Sequence, residues 1–118
     1  MEQAQVQFLV EHGIDYTDGL RRFMNNASLF EKFLMRFPED VTFGELKNAL
    51  DAGDCEAAFH AAHTLKGVAG NLSLKTLIQA VSQQTETLRG GDLAGGKQQM
   101  NAVTAAYEEA VQAILSVR

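Results

Sequence analysis

Two stretches in the second half of the chain place apolar residues in alternating steps of three and four. Leu74, Leu77, Val81, Gln84 and Leu88 form the first, with Gln84 as its polar exception. Met100, Val103, Tyr107, Ala110, Ile114 and Val117 form the second. Such steps keep side chains on one face of an α-helix, and helices with seams of this kind pack nearly antiparallel in bundles. No stretch alternates apolar and polar residues as a half-buried strand would. Ala, Leu, Gln and Glu, all strong helix formers, dominate the second half. The pattern predicts an all-α chain.

Start and stop signals divide the chain further. A short amphipathic segment is predicted from about Glu2 to Glu11, ending at Gly13. Asp15 is read as the N-cap of a short helix through Phe23. Ser28 with Glu31 has the spacing of a capping box, ahead of Leu29, Phe30, Phe33, Leu34 and Phe37. Pro38, the single proline, should end or kink that helix. Thr42 with Glu45 repeats the capping pattern ahead of Phe43, Leu46 and Leu50. Gly53 closes that helix, and Asp54 caps the next, which runs to about Leu72. Ser73 is read as opening another helix through Leu88, ended by Gly90-Gly91. Asp92 or the Gly95-Gly96 pair starts the last, which reaches nearly to Arg118. Phe23, Phe30, Phe33, Phe37 and Phe43 are assigned to the core.

Composition narrows the functional classes. Hydrophobic residues make up 46% of the 118 positions, enough for a single-domain core without disulfide or metal. Cys55 is the only cysteine, which excludes an internal disulfide and suits a reducing, cytoplasmic setting. The net charge is −5, and the most basic cluster is the Arg21-Arg22 pair, so a phosphate backbone is a poor partner. No apolar run approaches the ~20 residues that span a bilayer. MEQAQVQFLV lacks the basic n-region of a secretory signal. No G-x-x-x-x-G-K-[ST] loop is present to hold a nucleotide.

The segment from Asp54 to Leu72 carries the chemistry. At 100° per residue, Ala58, Ala61, Ala62, Leu65, Val68, Ala69 and Leu72 share one side, a core stripe of mostly small residues. His63 points almost directly away from Leu65. Glu56, Phe59, His60, Lys66, Gly67 and Gly70 surround it on the solvent side. An interior helical glycine is about 0.5–1 kcal/mol worse than alanine, and core packing cannot account for two on the outer face. Space for a partner to approach His63 can. Imidazole ordinarily titrates at about pH 6.5, so it is substantially neutral and nucleophilic near pH 7. A phosphoryl group on it would bring two negative charges, and Lys66, one turn on, offers charge-assisted hydrogen bonds. The attacking nitrogen has a free lone pair, so no general base is needed. Glu56, His60 and His63 also share a face with zinc-like ligand types. The set lies on one helix, lacks a clear fourth ligand and sits beside the cation of Lys66, so no metal is assigned.

The run His63-Thr64-Leu65-Lys66-Gly67-Val68-Ala69-Gly70-Asn71-Leu72 resembles the His-x-x-Lys-Gly signature of histidine-containing phosphotransfer (HPt) domains. Ala61-Ala62 before the histidine, Gly13-Ile14-Asp15 with Gly19-Leu20 upstream, and Ala52-Gly53-Asp54 before the active helix resemble the family's surroundings. The resemblance covers about residues 12 to 92. It implies an antiparallel four-helix bundle with additional short N-terminal helices. A single domain would span 1–118, with lead-in helices at about 1–37 and the bundle at about 28–118. It further implies phosphorylation of His63, stabilisation of the phosphoryl group by Lys66, and partner access at Gly67. Gly70, Phe59 and His60 join Gly67 as docking or access candidates, although Phe59 could equally flank the core. The implied partners are receiver domains of response regulators and hybrid histidine kinases, which would bring the Mg²⁺. The chain itself would be a monomeric, cytoplasmic phosphocarrier with no cofactor and no kinase activity, and with neither nucleic acid nor membrane as a partner. Met1 and the lone compact domain favour a free-standing carrier. Two departures stand out. Ser73 replaces a common glycine and is expected to have little effect. Thr85 stands where many members have Gln or Glu near the histidine, so the orienting hydrogen bond is weakened or passes to Gln84. The alternative is an unphosphorylated helical adaptor, distinguished by the absence of acid-labile, base-stable phosphate.

Overall fold

The computed structural model describes all 118 residues and is built from helices. They are α1 (Gln3–Glu11), α2 (Tyr16–Arg22), α3 (Ala27–Arg36), α4 (Thr42–Asp51), α5 (Cys55–Asn71), α6 (Lys75–Arg89) and α7 (Leu93–Val117). A 3-10 turn at Phe37–Glu39 follows α3, where Pro38 removes the amide that would continue the helix. Helices α4 to α7 pack in a ring, each against the next, with α4 also against α7. Three-residue links between them leave each helix to fold back along its predecessor, as the bundle requires. Helices α1 and α3 lie against α7, and α2 against both.

The seams read from the sequence form the core. Leu74, Leu77, Val81, Gln84 and Leu88 are buried, as are Val103, Ala110 and Ile114 opposite them. Ala58, Ala62, Leu65 and Ala69 of α5 are wholly buried; the three alanines let α4 and α6 each approach α5 closely. Phe43 stacks on Tyr107 at 4.0 Å, fixing α4 against α7. Phe33 departs from expectation: it is 43% exposed, on the outer side of α3 from buried Phe30 and Leu34.

Three caps are as expected, and three are not. The Asp15, Asp54 and Asp92 carboxylates accept from the amides of Asp18, Ala57 and Gly95. Ser28 does not open α3; Asn26 caps it by accepting from the Leu29 amide at 3.1 Å. Met24 and Asn25 take left-handed conformations, which turn the chain into the helix early, and Glu31 instead accepts from the Tyr16 hydroxyl. Thr42 is not a cap but the buried first residue of α4, its amide donating to Asp40 at 2.8 Å in an Asx-type turn. Ser73 does not cap α6 either. Its φ is +56°, and its hydroxyl donates to Asp18 of α2.

Candidate functional site

Helix α5 begins where Gly53, at φ +72°, reverses the chain and Asp54 caps the first turn with its side chain, 3.0 Å from the Ala57 amide. With the alanine and leucine stripe fixed inward, the outer face is fixed too. His63, His60, Glu56 and Gly67 are exposed, and Lys66 and Gly70 are half-buried. A Cβ added at Gly67 or at Gly70 would meet nothing within 4 Å. Neither glycine is therefore required by packing within the molecule.

His60 Nε2 lies 4.0 Å from the Glu56 carboxylate, both side chains open to solvent. Phe59 is half-buried and packs against the core. Its ring also lies alongside His63, with centroids 6.0 Å apart and planes 23° from parallel. The Arg89 guanidinium sits over the Phe59 ring, 4.9 Å from its centroid, while bonding Glu86 at 3.2 Å. Sequence reasoning did not single out Arg89. The available signal was the register: helices folding back about Ser73 set the end of α6 beside the start of α5, where the Cys55 thiol meets the Leu88 carbonyl.

Neither candidate for orienting the imidazole reaches it. The Thr85 side chain is buried and donates to the Val81 carbonyl at 2.7 Å. Gln84 points into the α6–α7 seam, donating to the Gly96 carbonyl at 3.0 Å. Threonine is too short to leave the helix surface, and its hydroxyl is taken by its own preceding turn.

His63 is exposed on the outer face of α5. An open groove of about 840 Å³ lies further along α5, lined in part by Phe33, Phe37, Val68, Asn71 and Arg118, and His63 is not among its walls. The arrangement is a solvent-exposed imidazole with a lysine one turn on and an open glycine beside it. No helix is long and apolar enough to cross a membrane. No curated protein and no solved structure matches the chain. The Hpt domain family does match, over residues 28–114, and that span covers well over half the chain and includes all of α5. The chain thus belongs to the Hpt domain family, the phosphotransfer domains of two-component phosphorelays.

Proposed function

We propose that this chain relays a phosphoryl group between aspartates of receiver domains, with His63 as the carrier residue. The observation that carries the reading is an exposed histidine on α5 of an Hpt domain, followed by Lys66 and Gly67 in the family's spacing. In the forward step a His63 ring nitrogen attacks the phosphorus of a receiver's aspartyl phosphate. The N–P bond forms as the acyl O–P bond breaks, and the aspartate leaves as carboxylate. The return step reverses this on a second receiver. Such transfers depend mainly on positioning and on charge stabilisation. Lys66 neutralises charge on the arriving group, and Gly67 leaves room for the receiver, which brings the Mg²⁺ and most catalytic groups. The chain acts as a cytoplasmic, monomeric carrier, without kinase activity of its own.

The test is labelling by a phosphorylated receiver. His63→Gln should abolish acid-labile, base-stable phosphate while helicity is retained, and His60→Gln should keep most of it. ATP and Mg²⁺ alone should label nothing. Histidine phosphate in the His63→Gln variant would refute the assignment. A fully unlabelled wild type that still binds receivers would make the chain an adaptor.

A further inference from the structure

His63 makes no side-chain hydrogen bond, because Thr85 and Gln84 bond elsewhere. An exposed imidazole on a helix has more than one staggered χ1 well open to it, so a neighbouring contact can select among them. The ring one turn earlier supplies that contact. Phe59 stands at i−4, where helix side chains meet, and its 6.0 Å centroid separation from His63 lies within the range of aromatic pairs. Phe59 is itself held: the core packs one side of it, and the Arg89 guanidinium covers its ring. Glu86 fixes Arg89 in turn, with contacts at 3.2 and 3.3 Å.

We infer that Phe59 is the positioning residue for the His63 imidazole, clamped by Arg89 from α6. The inference rests on the carrier reading and deepens it. A hydrocarbon ring orients the imidazole without engaging either nitrogen, so the lone pair stays available to phosphorus. Phe59 thereby acts within the molecule, in place of the hydrogen-bonding side chain that Thr85 cannot be.

The test compares Phe59→Leu, which keeps buried apolar bulk but loses the ring, with Phe59→Tyr, which keeps the ring. His63 χ1 is measured by NMR couplings on unphosphorylated protein. Labelling rates are then measured with phosphoramidate and with a phosphorylated receiver. Wild type and Phe59→Tyr should show one His63 rotamer. Phe59→Leu should show averaging among wells, with both labelling rates down by the same factor, about two- to threefold for two or three wells. Arg89→Gln, altered only at the surface, should move couplings and rates in the same direction by less, and it carries the test if Phe59→Leu does not fold. Unchanged couplings in Phe59→Leu, or in Arg89→Gln where that variant carries the test, would overturn the proposal. So would a loss confined to the receiver-driven rate, which would make Phe59 a docking residue. Wild type unlabelled on His63 would sink the carrier reading instead, while the couplings still judge Phe59.

Discussion

At the scale of single residues, Ser73 shows what the sequence concealed. It is wholly buried at a positive φ, a conformation that is about 1–2 kcal/mol unfavourable for an L-residue with a side chain. Its hydroxyl bonds the Asp18 carboxylate, and a bond to a charged group contributes about 1.5–3 kcal/mol. Ser73→Gly loses the bond but relieves the strain, so a net loss of about 1 kcal/mol is expected. Ser73→Ala loses the bond and keeps the strain, for about 2–3 kcal/mol. Melting midpoints should fall in the order wild type, glycine, alanine; alanine melting at or above glycine would contradict this account. A serine before a helical pattern reads as a cap because the spacing cannot reveal that its partner lies on α2. Gly67 is the opposite case, since its openness was legible from the helical wheel. Gly67→Gln should melt at or above the wild-type temperature, by up to about 1 kcal/mol. It should cut receiver-driven labelling about tenfold or more, equivalent to about 1.4 kcal/mol of docking, and leave phosphoramidate labelling intact. Normal receiver-driven labelling would remove partner access as the reason for this glycine.

Elements built on local periodicity were legible; those closed by distant partners were not. The α6 and α7 seams and the α5 stripe follow from spacing alone; the α6 seam is buried throughout, while Met100, Tyr107 and Val117 of α7 and Ala61 and Val68 of α5 are only partly buried against the core. All three aspartate caps hold, because a carboxylate accepts strongly and its charge favours a helix N-terminus. The hydroxyl caps read at Ser28, Thr42 and Ser73 fail. Asn26 and Asp40 lay just upstream with better acceptors, and Ser73 was drawn to Asp18. His63 and its neighbours were placed by the same wheel, whereas Arg89 over Phe59 needed two helices in register. Gln84 illustrates the seam's remaining imperfection: it is wholly buried, and its side-chain oxygen has no partner. An unsatisfied buried acceptor is destabilising by about 1–3 kcal/mol. Gln84→Met, similar in size and flexible, should therefore raise stability by about 1 kcal/mol, or a midpoint shift of about 4 °C. A lowered midpoint would show that the bond to Gly96 outweighs the orphaned oxygen.

For the molecule as a whole, the N-terminal helices, which also lie against α7, meet the turn between α5 and α6 at a single junction. Ile14 bridges Leu74, the Lys75 amide donates to the Gly13 carbonyl at 2.8 Å, and the Asp15 amide to the Ser73 carbonyl at 2.9 Å. Asp18 completes the junction. The Ser73 hydroxyl foremost, then Arg22, Arg21 and Lys75, hold its carboxyl well below the usual carboxylate range. A lowered folded-state pKa means that the unfolded chain takes up the proton first. The stabilisation is therefore present above the ordinary value of 3.8 and is lost as pH falls below it. Asp18→Asn should melt lower than wild type at pH 7 and lose less further stability between about pH 4 and pH 2. Parallel acid limbs for the two proteins would show that Asp18 does not govern this response. The junction joins residues 13–22, outside the matched span of 28–114, to the turn that ends α5.

The exposure of His63 sets a time limit on a carrier of this kind. With the imidazole exposed to solvent, bulk water would reach a group bound there as readily as a receiver does. The loaded state then lasts only as long as a nitrogen–phosphorus bond lasts in open solvent. On the carrier reading, the dwell time of the signal is then set by that bond's own chemistry and by how soon the next acceptor arrives, not by shielding within the fold.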